Sequence, residues 1–351
     1  MAHEYEVYLE CNDKGKIMMA SGVGNTKKLN ILIVHNYYQI PGGEDTVVAN
    51  EKKMLEDHGH KVILYSRNNS ELKHMSKMQK LILPITTVFN PRTYREVKRL
   101  IIDEHIDIVH IHNILNLISP SVYYAARTMN IPVVQTVHNF RLLCPGATFY
   151  RNGHICEDCI TKGLRCALKH SCYRHSKLQT LACVVCTKIH RLTGIYGKIN
   201  YICLTEFNKK KLLQLKQINP NRVFVKPNFV NNDDSIMPKK NRENQFVFVG
   251  RLDKLKGIDL LFETWKKMGD TATRLIVCGT GPMERWCKDF LERNKVNIIF
   301  RGLVSNKEAR ELIAVSRALI LPTQWYEGFP MTIVEAFSVG TPVICSDLGN
   351  A

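Results

Sequence analysis

The chain has 351 residues, 45% hydrophobic and 23% charged, with a formal net charge of +17. That length exceeds a single hydrophobic core and implies two domains, and the composition excludes a disordered or fibrous chain. No apolar run reaches the roughly 18 residues of a membrane span, so no transmembrane helix is expected. The basic charge comes without a helix-turn-helix, zinc-finger or RNP-type aromatic motif, so nucleic acid is not expected as a partner. An anionic membrane surface or a phosphorylated ligand fits that charge better.

In chain order, residues 1–30 lack the apolar core of a signal peptide. With their glycines and Lys14, Lys16, Lys27 and Lys28, they read as a flexible leader. Ile31–His35 is a short buried strand, followed by a loop containing Pro41-Gly42-Gly43-Glu44 and a helical pattern from Thr46 to His58. Lys61–Tyr65 is a strand, Asn90–His105 a helix, Asp107–His112 a strand, Ser121–Met129 a helix and Pro132–His138 a strand. After a cysteine-rich stretch, Tyr201–Thr205 and Arg222–Val225 continue the set. Residues 231–244 are polar, with Asp233, Asp234, Pro238, Lys239 and Lys240, and read as a linker. A second alternating set follows: strands at Phe246–Val249, Leu275–Cys278, Asn297–Phe300, Ala318–Leu321 and Val343–Cys345, with helices centred near Leu261, Phe290, Leu312 and Val334. Alternation of strand and helix predicts parallel sheets with covering helices. The expected organisation is an N-terminal α/β domain over 31–230, the linker, and a second α/β domain over 245–351.

The most informative stretch is Glu327-Gly-Phe-Pro-Met-Thr-Ile-Val-Glu335, two carboxylates separated by seven residues between two apolar runs. Pro330 suits a helix start. The backbone N–H groups at Gly328, Phe329, Met331 and Thr332 would then face a ligand, with Glu335 about one turn into the helix. Carboxylates accept from hydroxyls and N–H groups donate to them, so the set suits a polyhydroxylated ligand at the end of a strand. Three glycine-bearing corners are phosphate candidates. Gly42-Gly43 follows the first strand, where missing side chains let backbone approach an anion. Gly250-Arg251-Leu-Asp-Lys-Leu-Lys256-Gly257 puts an arginine fork and a lysine point charge at one strand end, a pairing suited to a diphosphate. Gly279-Thr-Gly281-Pro is a turn suited to a base or ribose.

Taken in this order, Pro41-Gly-Gly-Glu44, Gly250-Arg-Leu-Asp-Lys-Leu-Lys-Gly257 and the spaced acid pair resemble family 4 of the retaining glycosyltransferases, over Ile31–Ala351. The resemblance implies the GT-B fold, two Rossmann-like α/β domains facing across a cleft, with an acceptor-side N-terminal domain and a nucleotide-sugar-binding C-terminal one. It implies that Arg251 and Lys256 hold the donor diphosphate and stabilise the leaving charge. Glu335 would bind the ribose hydroxyls, and Glu327 those of the donor sugar. Gly250 and Gly279 would line the donor site, and Gly42 and Gly43 would approach the phosphates. His138, at a strand end, would contact the transferred sugar, while His110 and His112 read as structural, with lining of an acceptor cleft open to His112-Asn113.

The expected reaction moves a sugar from a UDP- or GDP-sugar to a glycan or lipid-linked acceptor, with retention of configuration, in surface polysaccharide or glycolipid synthesis. No second carboxylate brackets the reacting bond as a two-carboxylate scheme requires. A front-face reaction is therefore expected, assisted by the departing phosphate oxygen. Asp233-Asp234 falls in the linker rather than at a strand end, so no catalytic metal or other catalytic cofactor is expected. The expected location is cytoplasmic, with peripheral contact at the inner face of an anionic membrane. A non-catalytic two-domain scaffold or adaptor on the same fold is the alternative. The family pattern continues beyond Gly349-Asn-Ala351, so the chain reads as C-terminally truncated.

Of the 12 cysteines, eight lie between Cys144 and Cys203. The Cys156-Glu-Asp-Cys159 knuckle, with Cys144, Cys166 and Cys172 nearby and basic neighbours, leaves zinc, free thiols and disulfides open, with zinc first. A subgroup of the family has a similar insertion (144–176 here), and it implies a structural zinc on Cys144, Cys156, Cys159 and Cys172. Cys183-Val-Val-Cys186 reads as core.

Overall fold

The structure, a computed structural model, describes residues 8–11, 17–20, 27–39, 42–230, 236, 238–269 and 272–351. Within the first thirty residues, Tyr8–Cys11 pairs antiparallel with Ile17–Ala20. The remaining expectations for residues 1–7, 12–16 and 21–26, for Pro41, and for 231–235 and 237 of the linker lie outside the described residues.

The chain divides into two units, residues 27–138 with 162–226 in the first and 139–161 with 227–351 in the second. The first contains strands β1 (Asn30–Tyr37), β2 (Lys61–Asn68), β3 (Ile108–Ile111), β4 (Val133–Val137), β5 (Asn200–Cys203) and β6 (Val223–Val225). They form one parallel sheet in the order β6-β5-β4-β3-β1-β2. Helices α1 (Gly43–Asp57), α2 (Lys77–Val88), α3 (Pro91–Asp103), α4 (Ser121–Thr128), α5 (Lys177–Leu192) and α6 (Glu206–Leu212) connect them. The central strands are apolar on both faces, as a parallel sheet covered on both sides requires; β3 and β4 are buried along their whole length. Helix α3 shows why local sequence suffices for an element. The Asn90 side chain accepts from the Arg92 and Thr93 N–H groups, Pro91 opens the first turn, and Thr93, Val97 and Ile101 form one buried stripe.

The second unit has β7 (Glu243–Val249), α7 (Ile258–Met268), β8 (Arg274–Cys278), α8 (Glu284–Arg293), β9 (Ile298–Gly302), α9 (Asn306–Val315), β10 (Ser316–Leu321), α10 (Met331–Ser338) and β11 (Val343–Cys345). Its sheet is parallel, in the order β9-β8-β7-β10-β11. Successive strand residues point to opposite faces. Phe248, Leu275 and Val277 therefore pack on Ile258, Phe262 and Trp265, while Val247, Ile276 and Leu319 pack on Ile313, Ala336 and Val339.

Both sheets are parallel and Rossmann-like, the two α/β domains expected from the sequence. Each sheet reverses its strand order once, between β1 and β3 in the first and between β7 and β10 in the second. Beyond the carboxyl ends of such strands lies the usual ligand crevice of an open α/β sheet. The sequence assigns the cysteine insertion wholly to the first domain, and the structure divides it. Residues 139–161 group with the second unit, where the Tyr326 hydroxyl donates to Glu157 Oε1 at 3.3 Å. The rings of Phe140 and Phe149 lie 6.3 and 6.4 Å from that of Tyr326.

Candidate functional site

In the second unit the corners after β7, β8 and β10 are brought together by backbone bonds. Gly250 N–H donates to Cys278 O at 3.0 Å, Leu252 N–H to Thr280 O at 2.9 Å, and Gly279 N–H to Gly302 O at 2.7 Å. Gly279 has φ +143°, and a Cβ there would collide with the Gly250 carbonyl oxygen, so only glycine fits. After β7, Asp253 caps a single 3-10 turn (Lys254–Lys256) by accepting from Lys256 N–H at 3.0 Å. Gly257 ends the turn at φ +69°, packed so closely on the Pro322 carbonyl that a side chain is excluded. That contact sets Lys256 beside the segment carrying the first acid.

Lys256 Nζ donates to Glu327 Oε1 at 2.7 Å. Thr323 Oγ1 and Trp325 Nε1 donate to the same oxygen, each at 2.9 Å. Glu327 is 5% exposed, so these three donors replace the water its carboxylate has lost. Among the described residues Oε2 accepts no hydrogen bond. The turn behind it is pinned by Asn350 Nδ2, which donates to the carbonyls of Glu327 (2.5 Å) and Gly328 (2.7 Å), and by Asn228 Nδ2, which donates to Phe329 O at 2.9 Å. Arg251 is turned onto Asp253, donating to Oδ2 through Nε and Nη2.

Pro330 serves as the N-cap of α10 rather than its first residue. The N–H groups of Met331 and Thr332 open the helix and have no acceptor within it. Glu335, one turn on and buried, accepts from Asn306 Nδ2 at 2.8 Å. Burial raises its carboxyl above the ordinary value, against the Asn306 bond and the nearby Arg310 charge. The two acids thus have distinct surroundings, one ion-paired and one held by an amide. Sequence reasoning missed Thr323, Trp325, Asn306 and Asp253. Only Asp253 left a local signal, an acid three residues before a backbone N–H that it caps.

The first unit carries His138, Gly42 and Gly43. Gly42 has φ −134°, and a Cβ there would meet nothing within 4 Å. Neither conformation nor packing demands glycine at that position, which leaves it open to a ligand. Asp45 ties the loop by accepting from Gly42 N–H at 3.0 Å and from His35 Nε2 at 2.7 Å.

His138 Nε2 lies 2.9 Å from His112 Nδ1. His112 Nε2 lies 3.2 Å from Glu51 Oε2, and among the described residues neither atom has a hydrogen-bond partner. Glu51 is 1% exposed and was not a sequence candidate. Lys226 Nζ sits 2.5 Å from its Oε1. Burial raises the Glu51 carboxyl, but Lys226, His110 and His112 together hold it well below its ordinary value. Burial, aided by the neighbouring His112, lowers His138 well below the usual imidazole value, and His110 to about 3. One of the two rings donates across the His112–His138 contact, and their tautomers set which one. Asn113 is committed to the chain instead: Nδ2 donates to Asn36 O at 2.9 Å and Oδ1 accepts from Leu115 N–H at 3.1 Å.

Glu51, His110 and His112 are the one group of three or more metal-type side chains among the described residues whose donor atoms lie within 4.8 Å of one another. The Lys226 ammonium already compensates the carboxylate, and His110 Nε2 pairs with Thr136 Oγ1 at 2.9 Å, so the geometry is that of an internal ion network. None of Cys144, Cys156, Cys159 and Cys172 is joined in a disulfide. The Cys144 thiol is lowered to about 6 by the Cys159 thiol and by the backbone N–H groups of Phe149, Gly146 and Thr148. Cys144 and Cys159 thus meet, but among the described residues the four cysteines bring no three donor atoms within 4.8 Å of one another. Cys183 and Cys186 are core residues, as the sequence indicates.

Two family models match the chain, "Glycosyltransferase Family 4" over residues 41–158 and "Glycosyl transferases group 1" over residues 230–351. One subunit of the human phosphatidylinositol N-acetylglucosaminyltransferase is 24% identical over 345 residues, 93% of this chain and 63% of that protein. The O-antigen chain mannosyltransferase RfbU of Salmonella typhimurium is 30% identical over 144 residues, 40% of each chain. Among solved structures, Anabaena HepE in complex with UDP and glucose superposes with a TM-score of 0.57 at 15% identity, covering 92% of this chain and 82% of that one. The chain thus spans less than two thirds of the length of the human relative.

Proposed function

The chain belongs to the family-4 glycosyltransferases, and from that premise we propose that it transfers a sugar from a UDP- or GDP-sugar to a glycan or lipid-linked acceptor, in polysaccharide or glycolipid synthesis. The observation that carries this reading is the Lys256–Glu327 pair at the strand-order reversal of the second sheet, backed by the glycine corners at Gly250 and Gly279. Two cations there are each countered by an acid, Lys256 by Glu327 and Arg251 by Asp253. A diphosphate carries enough charge to draw both cations to itself, where they would stabilise the leaving group as the glycosidic bond breaks. Glu327, relieved of Lys256, would accept from donor-sugar hydroxyls, with the N–H groups at Gly328, Phe329, Met331 and Thr332 donating nearby. Glu335 would accept from the ribose hydroxyls. Glu327 and Glu335 come from one segment and hold hydroxyls rather than exchange protons with the reacting bond. The UDP and glucose bound to HepE and the sugar-transfer names of the other relatives support this reading.

In the first unit, the His138 imidazole would take a sugar hydroxyl, and Gly42 and Gly43 would offer backbone to an anion. Retention would follow from a front-face reaction in which the departing phosphate oxygen takes the acceptor proton, with no catalytic metal. The zinc on Cys144, Cys156, Cys159 and Cys172 is a separate, structural proposal. Metal analysis of freshly purified protein should find zinc that Cys144→Ser and Cys159→Ser remove, and its absence from the unaltered protein ends the idea. Cytoplasmic residence, at the inner face of the membrane, completes the reading.

The transfer reading is tested by nucleotide release from a panel of UDP- and GDP-sugars, alone and with lipid extracts as acceptor. Release from one donor class, lost in Glu335→Gln, is expected. Binding of nucleotide without release from any donor would favour a scaffold.

A further inference from the structure

Helices α2 and α5 lie side by side in the first unit, joined where Cys186 Sγ donates to Thr87 O at 3.5 Å and His190 Nε2 to Val88 O at 2.9 Å. The inner face of α5 is already packed, with Thr180, Cys183, Val184, Cys186, Thr187 and His190 buried. Its outer face is also apolar: Leu178, Leu181, Val185, Ile189 and Leu192 are exposed at spacings of three or four residues. On α2, Met78, Leu81, Ile82 and Ile85 repeat the pattern, one stripe at i, i+3, i+4 and i+7. Leu81, Ile85 and Leu192 are 73%, 70% and 77% exposed, so folding of the unit does not use them. A pair of adjacent apolar stripes of this kind marks an interaction site rather than scattered surface leucines.

The charge around the stripes says what the site fits. Neither helix contains an aspartate or glutamate, and Lys77, Lys80, Lys177 and Lys188 are exposed along them. Apolar side chains rimmed by lysine with no acid among them match the boundary between acyl chains and anionic headgroups. A protein partner of ordinary surface would need acids to meet those lysines, and a second copy would bring lysine against lysine. No described helix is long and apolar enough to cross a membrane, so the mode is lying on the surface, not spanning. We propose that the joined outer face of α2 and α5 is a docking surface for an anionic lipid bilayer. The proposal gives the membrane contact of the preceding reading a place in the fold, and it stands or falls on vesicle binding alone, whatever the activity.

The test is co-sedimentation of the full chain with phosphatidylcholine vesicles, with and without phosphatidylserine. Binding should need the anionic lipid and fall steeply with salt. The double variants Leu81→Glu/Ile85→Glu and Leu181→Glu/Ile189→Glu should each weaken it at least about tenfold, since each withdraws two apolar side chains and adds two repelled charges. Leu260→Glu, at an exposed leucine of α7, should leave binding unchanged, and thermal melts of all variants should match the unaltered protein. Sedimentation that ignores the double variants, or no sedimentation with anionic vesicles, overturns the proposal. So does a concentration-dependent dimer in light scattering that the double variants abolish, because the face would then belong to a second copy.

Discussion

Lys256→Met puts the Lys256–Glu327 pair to a quantitative test. The substitution keeps the length of the side chain and removes the ammonium from a carboxylate that is 5% exposed. Removing one partner of a buried ion pair costs about 3–5 kcal/mol. The Thr323 and Trp325 donors stay on Glu327 Oε1, which places this case at about 3 kcal/mol, the low end. For a domain of this size that lowers the melting temperature of the second unit by about 6–12 °C. Adding Glu327→Gln removes the stranded charge while the same two donors still find an amide oxygen. The double variant should therefore lie within about 1 kcal/mol of the unaltered protein, a coupling read directly from a double-mutant cycle. Scanning calorimetry and urea unfolding supply both numbers. A double variant no more stable than Lys256→Met would show instead that the loss comes from packing and not from an uncompensated charge. In the same proteins, nucleotide diphosphate should bind about 10- to 100-fold more weakly than to the unaltered chain, the range for a lost charged hydrogen bond.

The glycine corners should separate cleanly. Gly279→Ala sets a Cβ against the Gly250 carbonyl at φ +143° and should destabilise the second unit by at least about 3 kcal/mol in urea unfolding. Gly42→Ala meets open space and should stay within about 0.5 kcal/mol, so any loss of donor binding there reports on the ligand. Stability should also fall with acid. Buried His110 has its value lowered from 6.5 to about 3, so once unfolded it takes up a proton that the folded chain refuses, and the unfolded state gains as the pH drops below 6.5. Glu51, depressed below its ordinary 4.5, contributes stability that is complete above that value and lost as the pH falls below it. Unfolding free energies at several pH values between about 4 and 7 check the direction, and a flat profile would contradict it. In Glu51→Gln, nitrogen NMR of the histidine rings should show the His112 and His138 tautomers redistributed, because a glutamine amide can donate where the carboxylate could only accept.

Much of this molecule is legible locally. The parallel strands announce themselves as short apolar runs because both faces are buried, and the acid pair stands out because its turn falls between two such runs. Helix α2 is not legible: Pro84 interrupts the pattern, its apolar stripe faces outward, and the sequence places no element between Tyr65 and Asn90. Contacts between distant segments are equally silent. Nothing near Phe140 or Phe149 indicates Tyr326, and nothing near Glu51 indicates Lys226, 175 positions away. The candidate residues carried by local motif are therefore visible in the sequence, while their charge partners come from the fold. The pairing of Lys256 with Glu327 joins two motifs that the sequence shows as independent.

If the ends of β7 and β10 in the second unit form a nucleotide-sugar site, the nucleotide alone should bind there. Isothermal titration of UDP and GDP into the full chain, and into Lys256→Met and Glu335→Gln, measures this. One of the two nucleotides should bind with a Kd of about 1 mM or tighter, the range of ordinary substrate affinities, and both substitutions should weaken it. No heat from either nucleotide at millimolar concentration, or binding that ignores both substitutions, would place the donor site elsewhere or remove it altogether.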